Sequence, residues 1–267
     1  MLTDPVSNSL VICDRSKAQT LNLIANAITF TKIGGTVCID GAKTDGIESL
    51  LKELRKTVGD VQVYSKSHGK LIWFSRPPSL PDIESWMDVT YLYPNGWTTH
   101  AASFSSDGPD AGSKLLSDNL PPLKGRVADL GSGWGYLSGQ ALQSDAISEL
   151  HGFEADYHAV QCAKNNVQDQ RATFEWCDVT AQTATGFDTV ITNPPFHVSR
   201  KPDPTLGAAF ISKAADMLKP KGSLWMVANR NLPYEAILTE RFRRVDTVAQ
   251  TGGFKVIHAV TPKTARA

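Results

Sequence analysis

Charge of one sign, paired cysteines and long apolar runs are all missing from this sequence. Its 267 residues carry 27 Lys and Arg against 27 Asp and Glu, a formal net charge of zero. That balance removes any global electrostatic case for nucleic acid, so an RNA or DNA partner needs a local basic patch. The four cysteines, Cys13, Cys38, Cys162 and Cys177, lie far apart with no Cys-x-x-Cys spacing. They predict reduced core thiols and no zinc site or disulfide framework. No apolar run approaches the ~20 residues that span a bilayer, and no basic-then-apolar segment opens the chain. The expectation is a soluble, cytoplasmic protein, monomeric, with no metal and no membrane partner.

What the sequence does have is alternation. From Arg126 onward, short apolar runs and helix-spaced segments follow one another, which predicts a parallel sheet flanked by helices. Strands are expected at Val127–Leu130, Leu150–Glu154, Thr173–Cys177, Phe187–Thr192 and Ser223–Val227. Helices are expected near Leu137–Gln143, Tyr157–Gln168 and Thr205–Leu218, with Lys219-Pro220-Lys221-Gly222 stopping the last and Pro233 opening another. Val245–Gln250, Gly252-Gly253 and Phe254–Val260 read as a β-hairpin. A parallel α/β sheet closed by one antiparallel hairpin resembles the seven-stranded, Rossmann-like sheet of class I methyltransferases.

Asn193-Pro194-Pro195-Phe196 ends the apolar strand at Phe187–Thr192. Two prolines donate no backbone N–H and hold the preceding residue extended. Their carbonyls and the Asn193 side-chain oxygen are left as acceptors, with a phenyl ring next to them suited to stacking on a flat group. The pattern suits a planar amine; a plain Pro-Pro turn after a strand is the competing reading.

Asp129-Leu130-Gly131-Ser132-Gly133-Trp134-Gly135 follows a strand and precedes a helix, where a glycine-rich turn lets a ligand approach the backbone. Its Gly-x-Gly-x-Gly form lacks the third glycine of the dinucleotide fingerprint. Trp134 is bulky and is expected to turn outward as a lid. Glu154, about twenty residues on, ends the second strand, where a carboxylate can take both ribose hydroxyls. Asp178 ends the third, placed to meet an adenine amine. Each acid alone reads more readily as a solvated strand-end charge, but four successive strand ends offering Gly, Glu, Asp and Asn point to a nucleoside site. Arg200 and Lys201 flank the acceptor site and could track phosphates, whereas Arg241, Arg243 and Arg244 read as a solvated face.

Laying the last quarter of the chain over the first shows an internal repeat. Ala27–Pro77 tracks Ala214–Pro262, with Thr31–Ile39 falling on Leu218–Met226. Extended backwards, the repeat puts Asp14-Arg15-Ser16-Lys17 where Asn193-Pro194-Pro195-Phe196 lies, and no glycine loop precedes it. Residues 1–80 are therefore expected to form a smaller, degenerate α/β duplicate that is truncated and catalytically inactive, and residues 81–267 the catalytic domain.

Asn193-Pro194-Pro195-Phe196-His197, Val227-Ala228-Asn229-Arg230-Asn231-Leu232-Pro233-Tyr234, Thr251-Gly252-Gly253-Phe254-Lys255-Val256 and Phe104-Ser105-Ser106-Asp107-Gly108-Pro109-Asp110-Ala111-Gly112-Ser113 together resemble the bacterial small-subunit ribosomal RNA guanine 2-amino methyltransferases. The resemblance covers nearly all of Ser103–Pro262. It implies S-adenosylmethionine as cofactor and methylation of a guanine in ribosomal RNA or in the small ribosomal subunit. Asn193, Pro194, Pro195 and Phe196 are then catalytic. Asp129, Gly131, Gly133, Gly135, Glu154, Asp178, Phe104 and Asp110 are then cofactor-binding, the last two in a segment over the cofactor's methionine end. Ser132 and Trp134 depart from the family, which has Cys and a small residue there. Methylation of another amine (adenine in DNA or RNA, or protein glutamine), a non-catalytic RNA-binding or assembly factor, and an NAD-dependent oxidoreductase are the alternatives.

Overall fold

A computed structural model describes residues 4–14, 16–87, 89–195, 197–198, 201–202 and 204–263. The chain divides into two compact units, Met1–Tyr91 with His100–Ala102, and Leu92–Thr99 with Ser103–Ala267.

The first unit contains β1 (Val6–Ile12), α1 (Lys17–Phe30), β2 (Thr31–Ala42), α2 (Ile47–Thr57), β3 (Gln62–Lys66), β4 (Gly69–Ser75) and a short α3 (Glu84–Met87). Its sheet has the order β1-β2-β4-β3. Ser16 caps α1 by accepting the Gln19 N–H, which supplies a partner to one of the donors a helix start leaves open. Ile24 and Ile28 of α1, with Leu50 and Leu54 of α2, pack on Val37, Ile39, Ile72 and Phe74 of the sheet. Ile83 and Trp86 join the same core. That packing carries the unit on to Tyr91, about ten residues past the boundary expected from Pro77, Pro78 and Pro81.

β5 (Thr90–Leu92) and β6 (Thr98–His100) lead to α4 (Ala111–Asn119). The second unit then runs β7 (Gly125–Leu130), α5 (Tyr136–Ala141), β8 (Ile147–Glu154), α6 (Tyr157–Asn166), β9 (Ala172–Trp176) and β10 (Phe187–Thr192). After two-residue strands β11 (His197–Val198) and β12 (Lys201–Pro202) come α7 (Pro204–Met217), β13 (Leu218–Asn229), α8 (Glu235–Arg241), β14 (Phe242–Thr251) and β15 (Phe254–Pro262). Seven strands form one sheet in the order β14-β15-β13-β10-β7-β8-β9. β15 alone runs antiparallel to its neighbours. Gly252 and Gly253, with φ of 58° and 87°, make the tight β14–β15 turn, a conformation open to glycine without strain.

Strand side chains alternate between two cores, so this sheet is covered on both faces. Ala128, Val190, Leu224 and Met226 point to the core shared with α7 and α8, while Val127, Ile191, Trp225 and Val227 point to the one shared with α4, α5 and α6. The stop expected at Lys219–Gly222 is instead an irregularity inside β13: its partner on β10 advances from Phe187 to Thr189 while β13 advances from Leu218 to Ser223.

The same irregularity occurs in the first unit, where β1 advances from Val6 to Asn8 while β2 advances from Thr31 to Thr36. The order and directions of β1-β2-β4-β3 also repeat those of β10-β13-β15-β14. Register corrects one detail of the sequence alignment. Val11 pairs with Ile39 and Thr192 with Met226, so Ile12, not Asp14, stands where Asn193 stands. Two residues separate the alignments because the strand, not the turn after it, fixes the match.

Gly207 of α7 is a packing glycine: a Cβ there would lie 1.9 Å from the hydroxyl of Tyr234, which is itself buried. Gly207→Ala is expected to destabilise the protein by about 1–3 kcal/mol through overpacking. Chemical denaturation would show it as a lower midpoint at unchanged slope; an unchanged midpoint would mean that Tyr234 yields freely.

Candidate functional site

β7 and β10 are neighbours whose connections leave in opposite directions, β7 towards β8 and β10 towards β13. Ligands in open α/β sheets gather at the carboxyl ends of strands at such a switch point. Here those ends are the glycine loop and Asn193. The buried Thr192 hydroxyl donates to the Leu130 carbonyl at 2.6 Å and ties the two together.

The loop is shaped by Gly131, Gly133 and Gly135, with φ of 71°, 53° and 92°. Gly131 N–H and Ser132 N–H both donate to the Phe153 carbonyl, at 2.8 and 3.2 Å. Glu154 holds the next turn: Oε2 accepts Gly133 N–H at 2.8 Å and Oε1 accepts Asp156 N–H at 2.8 Å. Burial raises the Glu154 carboxyl, against the pull of those backbone donors. A Cβ at Gly133 would meet nothing within 4 Å, so open space lies above it, whereas one at Gly135 would press on Ala163 of α6 and on Val167 just after it. Gly133 thus borders open space and Gly135 serves helix packing.

Phe104, Asp110, Ser113, Gly131, Gly133 and Asn193 line one pocket. Asp110 organises its far wall. It is the N-cap of α4, with Oδ1 accepting Gly112 N–H at 2.8 Å and Oδ2 accepting Ser113 N–H at 3.0 Å. Asn193 Nδ2 donates to the same Oδ2 at 2.8 Å and to Ser113 Oγ at 2.9 Å. A carboxylate cannot donate, so the amide can face it only with its NH2 group. Asn193 Oδ1 remains as an acceptor. Pro194 is buried and Pro195 exposed, while Phe196 and Arg200 lie outside the described residues. Phe104 is 62% exposed at the pocket rim, on a loop where Ser105 has a φ of 53°.

Other sequence candidates stand elsewhere. Asp178 follows β9 and is not among the residues lining this pocket; its Oδ1 accepts from Thr180 N–H at 2.8 Å and Thr180 Oγ1 at 2.7 Å, and those bonds hold its carboxyl below the usual range. Trp134 is no outward lid. It is 5% exposed, packed among Tyr93, Trp97 and Tyr136, and its carbonyl accepts from Asn166 Nδ2 at 2.8 Å. The apolar area of an indole outweighs the loop's exposure once other rings are available to cover it. Arg241 is also no solvated charge: it pairs with Asp216 and donates to the Ser212 carbonyl. Ser113 had no separate signal in the sequence beyond its place in the Phe104–Ser113 segment. Among the described residues no three His, Cys, Asp or Glu side chains gather as metal ligands would, and no helix is long and apolar enough to cross a membrane.

Asp129 lies beneath the loop, fully buried, with Oδ2 accepting from Ser138 Oγ at 2.7 Å and Oδ1 without a partner. Burial pushes its carboxyl up to about 7, opposed by the Ser138 hydroxyl and aided by the charge of Glu154. The folded value exceeds the unfolded one, so the stability this group contributes is full below about pH 4 and is lost as pH rises through about 7. Asp129→Asn, which keeps the acceptor for Ser138, is expected to remove on the order of 2–3 kcal/mol of the stability difference between pH 5 and pH 8. Thermal unfolding at both pH values measures it; equal slopes in the two proteins would mean that Asp129 is ionised throughout.

The geometry agrees with comparison to known proteins. Residues 96–258 match the family model of the methyltransferase small domain. The ribosomal RNA small subunit methyltransferase C of Shewanella loihica is 30% identical over 232 residues, covering 84% of this chain and 68% of that protein. Its namesake in Alteromonas mediterranea is 29% identical over 259 residues, covering 94% and 72%. The T. thermophilus 16S rRNA N2 G1207 methyltransferase, solved with AdoMet and guanosine, superposes with a TM-score of 0.81 at 24% identity, covering 96% of this chain and 73% of that one. The fold, the glycine loop and the matched span agree: the chain belongs to the methyltransferase small domain family and, within it, to the ribosomal RNA small subunit methyltransferase C proteins.

Proposed function

We propose that the protein transfers the methyl group of S-adenosylmethionine to the exocyclic 2-amino group of a guanine in small-subunit ribosomal RNA, with Asn193 as the residue that receives that amine. The fixed orientation of the Asn193 amide carries the reading. Its NH2 is held by Asp110 and Ser113, so only Oδ1 faces an acceptor substrate.

The cofactor fits the residues present. Gly133 leaves open space for a ligand against the backbone, and the Glu154 carboxylate, fixed by two backbone N–H groups, keeps lone pairs for the two hydroxyls of a ribose. Gly131, Gly133 and Glu154 would hold S-adenosylmethionine with its methionine end towards Phe104, and Asp178 would take the adenine amine. Bound there, it supplies an electrophilic methyl carbon on a sulfonium.

The protein's own work is alignment and electrostatics. The lone pair of guanine N2 is delocalised into the ring, which makes the amine a poor nucleophile. Asn193 Oδ1 and the Pro194 carbonyl accept its two N–H bonds, favour a pyramidal nitrogen and stabilise the positive charge that develops on it. Proline at 194 and 195 keeps competing N–H donors out of that cluster of acceptors. Phe196 would hold the base plane. Asp110, a charge one hydrogen bond away from Asn193, strengthens the same electrostatic bias. The first unit is proposed to be inactive: it has Ile12 at the register of Asn193 and, among the described residues, no strand or glycine loop equivalent to β7 and residues 131–135.

Asn193→Ala is expected to leave S-adenosylhomocysteine affinity within about twofold and to lower kcat by roughly 100-fold or more, as for loss of one preorganised polar group. Asp110→Asn, whose amide accepts either face of Asn193, is expected to lower kcat about tenfold and to add nothing to Asn193→Ala in the double variant. Methyl transfer to unmodified small-subunit RNA, followed by identification of the methylated nucleoside, reads both. Label in 6-methyladenine instead of 2-methylguanosine, or an additive double variant, would refute the assignment.

A further inference from the structure

A second cavity, of about 270 Å³, opens beside the pocket of Asn193 and shares Pro109, Trp134 and Tyr136 with it. Tyr93 and Trp97 complete its aromatic wall, and the side-chain amides of Asn95 and Gln140 are its polar groups. The wall is preformed. Tyr93–Trp97 is a tight turn, closed by Gly96 N–H to the Tyr93 carbonyl at 2.9 Å and by Trp97 N–H to Asn95 Oδ1 at 3.1 Å. The Tyr93 hydroxyl donates to the Ser106 carbonyl at 2.6 Å. The Trp97 ring is seated on α5 at Gly139, where a Cβ would come within 2.5 Å of it. Tyr93 stacks on Trp134 with centroids 6.1 Å apart and planes 19° from parallel, and Trp97 meets Trp134 edge-on at 5.9 Å.

The lining selects its occupant by what it offers. It contains no Asp, Glu, Lys, Arg or His, so nothing there balances a phosphate, a carboxylate or a metal ion. It offers the part-exposed rings of Tyr93, Trp97 and Tyr136, together with amide donors. Asn95 Oδ1 is taken by the Trp97 N–H and Gln140 Oε1 by Gln143 Nε2 at 3.2 Å, so both amides present NH2 groups. RNA is read through unpaired bases that stack on aromatic side chains and hydrogen-bond along their edges. Continuity with the Asn193 pocket places such a base next to the acceptor. We propose that this cavity receives an unpaired nucleobase adjoining the target guanine, held against the aromatic wall and accepting a hydrogen bond from Gln140. The proposal rests on the reading of the chain as a ribosomal RNA methyltransferase.

Binding, with S-adenosylhomocysteine present, tests it apart from catalysis. The full chain is titrated with fragments tiling unmodified small-subunit RNA, and the tightest fragment is remade with single abasic nucleotides. Trp97→Ala and Gln140→Glu, the second nearly isosteric but without the donors, are expected to weaken that fragment roughly tenfold or more, within the range for one stacked base. Both should bind S-adenosylhomocysteine within twofold of the parent. At one abasic position the parent should lose the same factor and the variants little more. RNA affinity unchanged in Gln140→Glu, or abasic losses additive with the variants at every position, would overturn the proposal. Should Trp97→Ala fail to fold, its lost cofactor binding reveals it and Gln140→Glu decides. Failure of the guanine assignment would appear separately, in the identity of the methylated nucleoside, with these affinities intact.

Discussion

The carboxylate of Asp110 is the constraint on which the site depends. A single side chain caps α4 through two backbone N–H groups and fixes which way the Asn193 amide faces. The first task anchors the second. Because α4 begins at Asp110, the carboxylate cannot swing away without opening the first turn, a loss of about 1 kcal/mol in typical helices. Helix capping therefore supplies the rigidity that an electrostatic site needs. A water molecule in place of Asp110 could satisfy the amide equally well in either orientation and would specify neither.

Support for that cap comes from the far end of the chain. Phe254 of β15 packs against Gly112, where a Cβ would lie 3.0 Å from the ring, so α4 starts against the antiparallel hairpin. The neighbouring Lys255 is 6% exposed and donates to the carbonyls of Arg230 and Leu232 while pairing with Glu235. A buried ammonium is tolerated because all of its contacts are acceptors, one of them charged. It pulls the segment after β13 onto β15, and Tyr234 then fills the space left by Gly207. The hairpin that closes the sheet thus works as a clamp on the end that carries Asp110 and Asn193, in addition to covering an edge.

Much of this was legible in the sequence, for identifiable reasons. The order of strands and helices from Arg126 onward follows from apolar periodicity, and the closing turn from Gly252-Gly253. The Asn193 oxygen was expected as an acceptor because two prolines remove the competing donors around it. What periodicity could not reach were contacts between residues far apart in the chain. Asp110 reads as a helix cap from local sequence alone, but its bond to Asn193 spans 83 residues and depends on how α4 lies across the sheet. Trp134 illustrates the converse. In isolation a tryptophan between glycines looks like a lid, and only the arrival of Tyr93 and Trp97 from another segment makes burial its better state.

The repeat supplies the physical ground for proposing that the first unit carries no chemistry by itself. β1-β2-β4-β3 reproduces β10-β13-β15-β14 down to the same irregularity, so the two share the backbone that presents residues at the end of the first strand. In the second unit that strand is central, lying between β13 and β7. In the first it is an edge. The residue matching Ile191 is Leu10, and its exposure changes from 0% to 65% because, among the described residues, no counterparts of α4–α6 cover that face. With β7 goes the glycine loop, and with α4 goes the carboxylate that would orient an amide. An asparagine placed at Ile12 would find neither a ligand-binding loop beside it nor an acceptor to fix its amide. The strand end provides only a position; the switch point and the capped helix turn that position into a site.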